Sequence, residues 1–225
     1  MPAPRRTPPP SLQRPAPPLV GLTGGLGAGK STVLGLLDRL GAATLSTDAV
    51  VHELYGTPGV QTAVRARWGD DAVPGGRVDR AVVARLAFAD PADRIWLEGL
   101  LWPLVADRIA AFRDDVVSRR PPPPVGVVET PLLFEAGMDA AYDATIAVIA
   151  DDQLRSRRAS ARGHQSLAAR ELRQLSQDEK ARRATYVIEN SGTLAELEQS
   201  VTRVVGLLTS AGPAGLGPPD ADAGR

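Results

Sequence analysis

The residues best able to do chemistry lie in one stretch, Gly24-x-x-x-x-Gly29-Lys30-Ser31, which fits the phosphate-binding loop pattern in full. Several backbone N–H groups must converge on one polyphosphate there, and side chains with a Cβ would crowd that approach. The loop runs from an apolar segment, Leu19–Thr23, into a stretch with helical periodicity that starts at Lys30. A helix beginning there presents its positive end and unpaired N–H groups to the same anion. The expected nucleotide contacts are therefore Gly27, Ala28, Gly29, Lys30, Ser31 and Thr32. Lys30 is placed to reach the β- and γ-phosphates of ATP, and the Ser31 hydroxyl to bind Mg²⁺. A plain glycine-rich turn with a surface lysine is the competing reading; Gly-Lys-Ser-Thr in a strand–turn–helix context argues against it.

The elements that must position this loop follow from the pattern of apolar residues. Leu19–Thr23, Ala43–Thr47, Val125–Glu129, Ala144–Ala150 and Tyr186–Glu189 read as five strands. Helices are expected over Lys30–Leu40, with Val33, Leu36, Leu37 and Leu40 inward, and over Ala49–Tyr55, with Asp48 as N-cap. Further helices are expected over Gly59–Trp68, Asp79–Phe88 and Pro91 to about Val117, the last kinked or interrupted at Pro103. Gln153–Arg173 reads as an arginine-dense helix interrupted near Gly163. Ser176-x-x-Glu179 and Thr193-x-x-Glu196 have the form of capping boxes. The second opens a helix with Leu194, Leu197, Val201, Val204 and Val205 inward. Strands alternating with helices imply an α/β fold, a parallel sheet covered on both faces, with ligands at the carboxyl ends of the strands. The phosphate loop, Asp48, and Glu129 with Thr130 all fall at such ends.

A chain of 225 residues suits one sizeable α/β core. Its formal net charge is zero, so no global field favours nucleic acid or an anionic membrane. The absence of cysteine excludes disulfides and thiolate metal sites. No apolar run approaches the ~20 residues needed to span a bilayer, and a soluble cytoplasmic protein, monomeric or weakly self-associating, is expected. Residues 1–18, rich in proline, and residues 211–225 read as disordered tails. Only two lysines, Lys30 and Lys180, stand among 26 basic residues; a lysine retained in so arginine-rich a chain suggests a role for its compact ammonium, with codon bias as the competing explanation of the ratio.

Along residues 19–205 the chain resembles the dephospho-coenzyme A kinase family. The likeness rests on Gly21 to Thr32, Thr47-Asp48, Val78-Asp79-Arg80 with Phe88, Pro131-Leu-Leu-Phe-Glu135, Gln174 with Lys180, and Val187-Ile-Glu-Asn-Ser-Gly192. It implies a five-stranded P-loop kinase core at 19–210, similar to nucleoside monophosphate kinases, with a helical substrate-binding insertion at about 56–120 and a lid at about 153–183. The implied reaction moves the γ-phosphoryl of ATP to the ribose 3′-hydroxyl of dephospho-CoA. Asp48 matches the carboxylate that takes the hydroxyl proton, Arg158 and Arg162 match lid cations, and Glu129 stands where an aspartate is usual and would hold a Mg²⁺-bound water or pair with an arginine. Two positions depart from the family pattern: Ser46 replaces the first carboxylate of Asp-x-Asp, and Trp102 replaces the histidine of His-Pro-Leu. Two alternatives remain open on sequence grounds: another small-molecule or nucleoside monophosphate kinase of the same fold, and a nucleotide-binding relative that has lost activity. A GTPase is disfavoured because no Asn-Lys-x-Asp segment occurs.

Overall fold

The computed structural model describes residues 16–161 and 174–211. Its strands are β1 (Leu19–Gly24), β2 (Ala43–Ser46), β3 (Gly126–Glu129), β4 (Ala144–Ile149) and β5 (Tyr186–Glu189). They form one five-stranded sheet in the order β2-β3-β1-β4-β5, with every pairing parallel. The described helices are α1 (Lys30–Arg39), α2 (Thr47–Leu54), α3 (Pro58–Trp68), α4 (Arg80–Ala89), α5 (Pro91–Ser118), α6 (Asp152–Ala161), α7 (Gln177–Arg183) and α8 (Leu194–Ala211).

The strands are apolar because both faces of the sheet are covered. Val20, Leu22, Val127, Ile146 and Val148 pack with Val33, Leu36 and Leu37 of α1 and with Leu197, Val201, Val204 and Leu208 of α8. On the other face Leu19, Val128 and Ala147 join a core with Val50 and Leu54 of α2, Val60 and Val64 of α3, Val83 of α4, and Leu101, Val105 and Ile109 of α5. Local signals set the helix starts. The Asp79 carboxylate accepts from the backbone N–H groups of Ala81 and Val82 at 2.9 and 3.1 Å, and Asp90 accepts from Ala92 at 2.8 Å. Thr193 and Glu196 close a reciprocal capping box, with Thr193 N–H donating to Glu196 at 2.7 Å and Glu196 N–H donating to the Thr193 hydroxyl at 3.3 Å.

Several local expectations need correction. Leu40 and Leu194 are exposed, because each lies at a helix end, beyond the turns that meet the sheet. Asp48 is not an N-cap: α2 already begins at Thr47, Ser46 holds the N-cap position, and Asp48 sits exposed in the first turn. A carboxylate there still faces the positive end of the helix. Pro103 does not end α5, which runs from Pro91 through Ser118. Both Pro103 and Gly99, whose carbonyl loses its helical donor, lie on the exposed side, where water can meet the orphaned acceptor. The expectations for residues 162–173, including Arg162 and the break near Gly163, and for most of both tails, fall outside the described residues.

Gly21 sits where β1 passes under buried side chains, and a Cβ there would collide with Leu133 Cδ1 and lie 2.8 Å from the Tyr142 ring. Gly21→Ala should therefore destabilise the fold by about 1–3 kcal/mol through overpacking. Urea unfolding measures this, and an unchanged midpoint would show that the two side chains have room to move.

Candidate active site

Strand register brings the functional residues together. Leu22 of β1 pairs with Glu129 of β3, which pairs in turn with Ser46 of β2. Consequently Asp48, Glu129 and the loop that follows Gly24 emerge at one edge of the sheet. Between β1 and α1 the backbone takes left-handed values at Gly27 (φ 72°) and Gly29 (φ 96°). Close neighbours as well as φ demand glycine here: a Cβ at Gly29 would collide with Asn190 Nδ2, and one at Gly27 with the Arg155 carbonyl oxygen. A Cβ at Gly24 would strike the backbone oxygen of Val148 in the adjacent strand. The loop is thus closely packed by its neighbours, which fixes its shape.

Lys30 lies under this loop, its Nζ donating to the carbonyl oxygens of Gly24 at 2.9 Å and Gly25 at 3.2 Å. Burial holds its ammonium below the usual lysine range; Glu129 opposes that shift most, Lys180 adds to it, Asp48 opposes it and Arg155 adds to it. Two carboxylates and two further cations thus lie near enough to act on the Lys30 charge. Glu129 makes no ion pair among the described residues. No group of three or more histidine, aspartate or glutamate side chains gathers among the described residues. The oxygen donors at hand, the Ser31 hydroxyl and the Glu129 carboxylate, suit a hard cation that keeps several waters and takes its other ligands from a bound phosphate.

Of the two arginines expected on the lid, Arg158 is described, and its Nη1 donates to the Asn190 carbonyl oxygen at 3.2 Å, beside the loop. Sequence reasoning gave no role to three further contributors. Arg155 Nε donates to the Leu26 carbonyl oxygen at 3.0 Å while its Nη1 pairs with Asp152 at 2.8 Å. Nothing in an arginine-dense run distinguishes it from its neighbours. Asn190, buried just past β5, donates through Nδ2 to the Ala28 carbonyl oxygen at 2.8 Å. Its place at the carboxyl end of a strand was the available signal. Lys180 is fully buried near Lys30, and its scarcity in the sequence marked it. Trp102 is exposed on α5, and its indole makes no hydrogen bond among the described residues.

A parallel sheet of this strand order, a glycine loop wrapped on a lysine, and carboxylates at the neighbouring strand ends define a P-loop kinase of the small-molecule type. The chain belongs to the dephospho-CoA kinase family, whose sequence profile it matches over residues 18–196. Among curated relatives it is 40% identical to the dephospho-CoA kinase of Deinococcus radiodurans, over 81% of this chain and 88% of that protein. It is 36% identical to that of Thermus thermophilus, over 89% and 97%. A solved Thermus thermophilus structure aligns with a TM-score of 0.67 at 35% identity, covering 86% of this chain and 99% of that one. The dephospho-CoA kinase structure from Campylobacter jejuni shares the fold, with a TM-score of 0.61 at 20% identity, over 85% of this chain and 97% of that one.

The Asn190 bond predicts a paired effect. Asn190→Ala leaves the Ala28 carbonyl buried without its donor, which should cost about 1–3 kcal/mol of stability and weaken ATP binding as the loop loosens. Urea unfolding and calorimetric titration with ATP together test this; loss of stability with unchanged ATP affinity would mean that the loop keeps its shape unaided.

Proposed function

We propose that this protein transfers the γ-phosphoryl group of ATP to the ribose 3′-hydroxyl of dephospho-CoA, giving CoA and ADP in the last step of coenzyme A biosynthesis. The observation that carries the reading is the meeting of Lys30, Asp48 and Glu129 at the carboxyl ends of β1, β2 and β3. The family membership of the chain supplies the acceptor. Phosphoryl transfer leaves little covalent work to a protein, which must align donor and acceptor and offset charge on the equatorial oxygens.

The backbone of Gly27 to Thr32 cradles the triphosphate in this reading, and Lys30 exchanges its loop carbonyls for phosphate oxygens. Ser31 and Glu129 would hold Mg²⁺, Glu129 through a bound water; the ion supplies charge neutralisation at the β- and γ-oxygens. Asp48, exposed in the first turn of α2, accepts the proton of the 3′-hydroxyl as its oxygen bonds to the γ-phosphorus. The bond from that phosphorus to the β,γ-bridging oxygen breaks, and ADP leaves. Arg158, together with Arg162, closes over the transferring group. The helices between β2 and β3 form the acceptor-binding insertion (about 56–120), and the segment 153–183 acts as the lid. Ser46 brings a hydroxyl where a charge is usual, so Mg²⁺ would be held more weakly, while the proton acceptor remains.

The reading is tested by following ADP release from ATP with dephospho-CoA, AMP, CMP and shikimate side by side. Strong release with dephospho-CoA alone is expected; preference for another acceptor would overturn it, and release with none would make the protein a nucleotide binder only. Lys30→Ala should lower turnover by orders of magnitude in a folded protein, and near-normal rates would remove Lys30 from the mechanism. Asp48→Asn keeps size and the first-turn position but removes the base, so turnover should fall about 10²–10⁴-fold with ATP affinity little changed. A smaller loss would show that the acceptor hydroxyl is activated elsewhere.

A further inference from the structure

The mechanism proposed above makes no use of the second lysine. Lys180 of α7 has a side chain with no exposed surface, and its ammonium meets three acceptors. These are the Pro131 carbonyl oxygen at 2.8 Å, Glu135 Oε1 at 3.0 Å and the Thr23 hydroxyl at 3.4 Å. Thr23 in turn donates to the Pro131 carbonyl oxygen at 3.1 Å. Each partner has a telling place. Thr23 directly precedes Gly24, whose carbonyl receives Lys30, and Pro131 lies just past Glu129 and Thr130. Glu135 Oε1 also accepts the Leu175 N–H at 2.8 Å, where the described chain resumes ahead of α7.

Stability alone explains this arrangement poorly. A buried ion pair commonly contributes no more than well-packed apolar residues of the same volume. A lysine head with three N–H donors does suit three convergent acceptors, and an arginine fork does not. This fits a chain that otherwise uses arginine almost throughout. We propose that Lys180 is a positioning residue for the phosphate site: it clamps the ends of β1 and β3 beneath the phosphate loop and adds a buried positive charge that favours bound triphosphate. The assignment rests on the kinase reading for its purpose, but it is read on nucleotide binding and needs no acceptor.

The test separates charge from packing. Lys180→Met alone leaves the Glu135 carboxylate buried without its cation and should lower Tm. Adding Glu135→Gln removes that orphan charge and keeps an acceptor for the Leu175 N–H, so Tm should return to within about 3 °C of wild type, about 1 kcal/mol for a chain of this size. The double variant should nonetheless bind MgATP more weakly by calorimetry, within the roughly 5–150-fold span of coupling between neighbouring sites. A double variant that regains Tm and binds ATP within about twofold of wild type, below that span, would reduce the pair to a structural tether.

A second measurement uses the unmodified protein and decides the matter if the double variant does not fold. With ¹³C-labelled lysine, the two lysines of the sequence give two side-chain resonances, assigned by Lys30→Met. Burial already holds the Lys180 ammonium below the usual lysine range; Glu135 opposes the shift and Arg155 adds to it, while Lys30 is the other cation nearby. If its charge favours ATP, reciprocity requires ATP to raise its titration midpoint. An upward shift supports the proposal and an unmoved midpoint overturns it. Absence of dephospho-CoA-dependent ADP release would sink the proposed reaction while leaving both of these results readable.

Discussion

The structure depends on backbone and side-chain groups packed closely against a glycine loop. Asn190, Arg155 and Val148 approach Gly29, Gly27 and Gly24 so closely that no Cβ fits, and all three of these glycines hold positive φ. Such packing fixes the shape of the loop, within which the Ala28 N–H donates to the Gly25 carbonyl oxygen at 3.2 Å. Each contact comes from a different part of the chain: the end of β5, helix α6 and strand β4. The loop therefore takes its shape only once the whole sheet is assembled. That couples folding to the ability to bind phosphate.

The parallel sheet supplies the second constraint. Because strand ends stand in register, carboxylates placed after β2 and at the end of β3 meet the lysine that follows β1 without any contact in sequence. Burial works against the Lys30 charge, and Glu129 and Asp48 restore part of what burial removes. A bound triphosphate would restore more, which makes the site better suited to anion than to solvent. Arg158, Arg155 and Asn190 form a second ring of support in which each donates to a backbone carbonyl of the loop or of its neighbour.

Much of this was legible in the sequence because it rests on local rules. The apolar strands, the phosphate loop and the caps at Ser176 and Thr193 need only short-range patterns, and all five strands stand within a residue or so of their expected limits. What escaped needed three dimensions. Leu40 and Leu194 follow the helical period but overhang the sheet. Pro103 is tolerated inside α5, where it and the carbonyl it orphans lie on the exposed side, and exposure is not readable from a local pattern. Arg155 could not be told from Arg157 or Arg158 by spacing alone, because its value comes from the Leu26 carbonyl it meets. Lys180 was conspicuous by its rarity, but its three acceptors come from β1, the segment after β3 and a glutamate 45 positions earlier in the sequence.

The most direct measurement is the position of the transferred phosphate. With ATP, Mg²⁺ and dephospho-CoA, phosphorus–proton correlation spectroscopy of the product should show one new phosphomonoester coupled to the ribose 3′ proton, appearing as ADP accumulates. A phosphomonoester on another hydroxyl, or ADP formed with no new phosphomonoester, would contradict the assignment of the site.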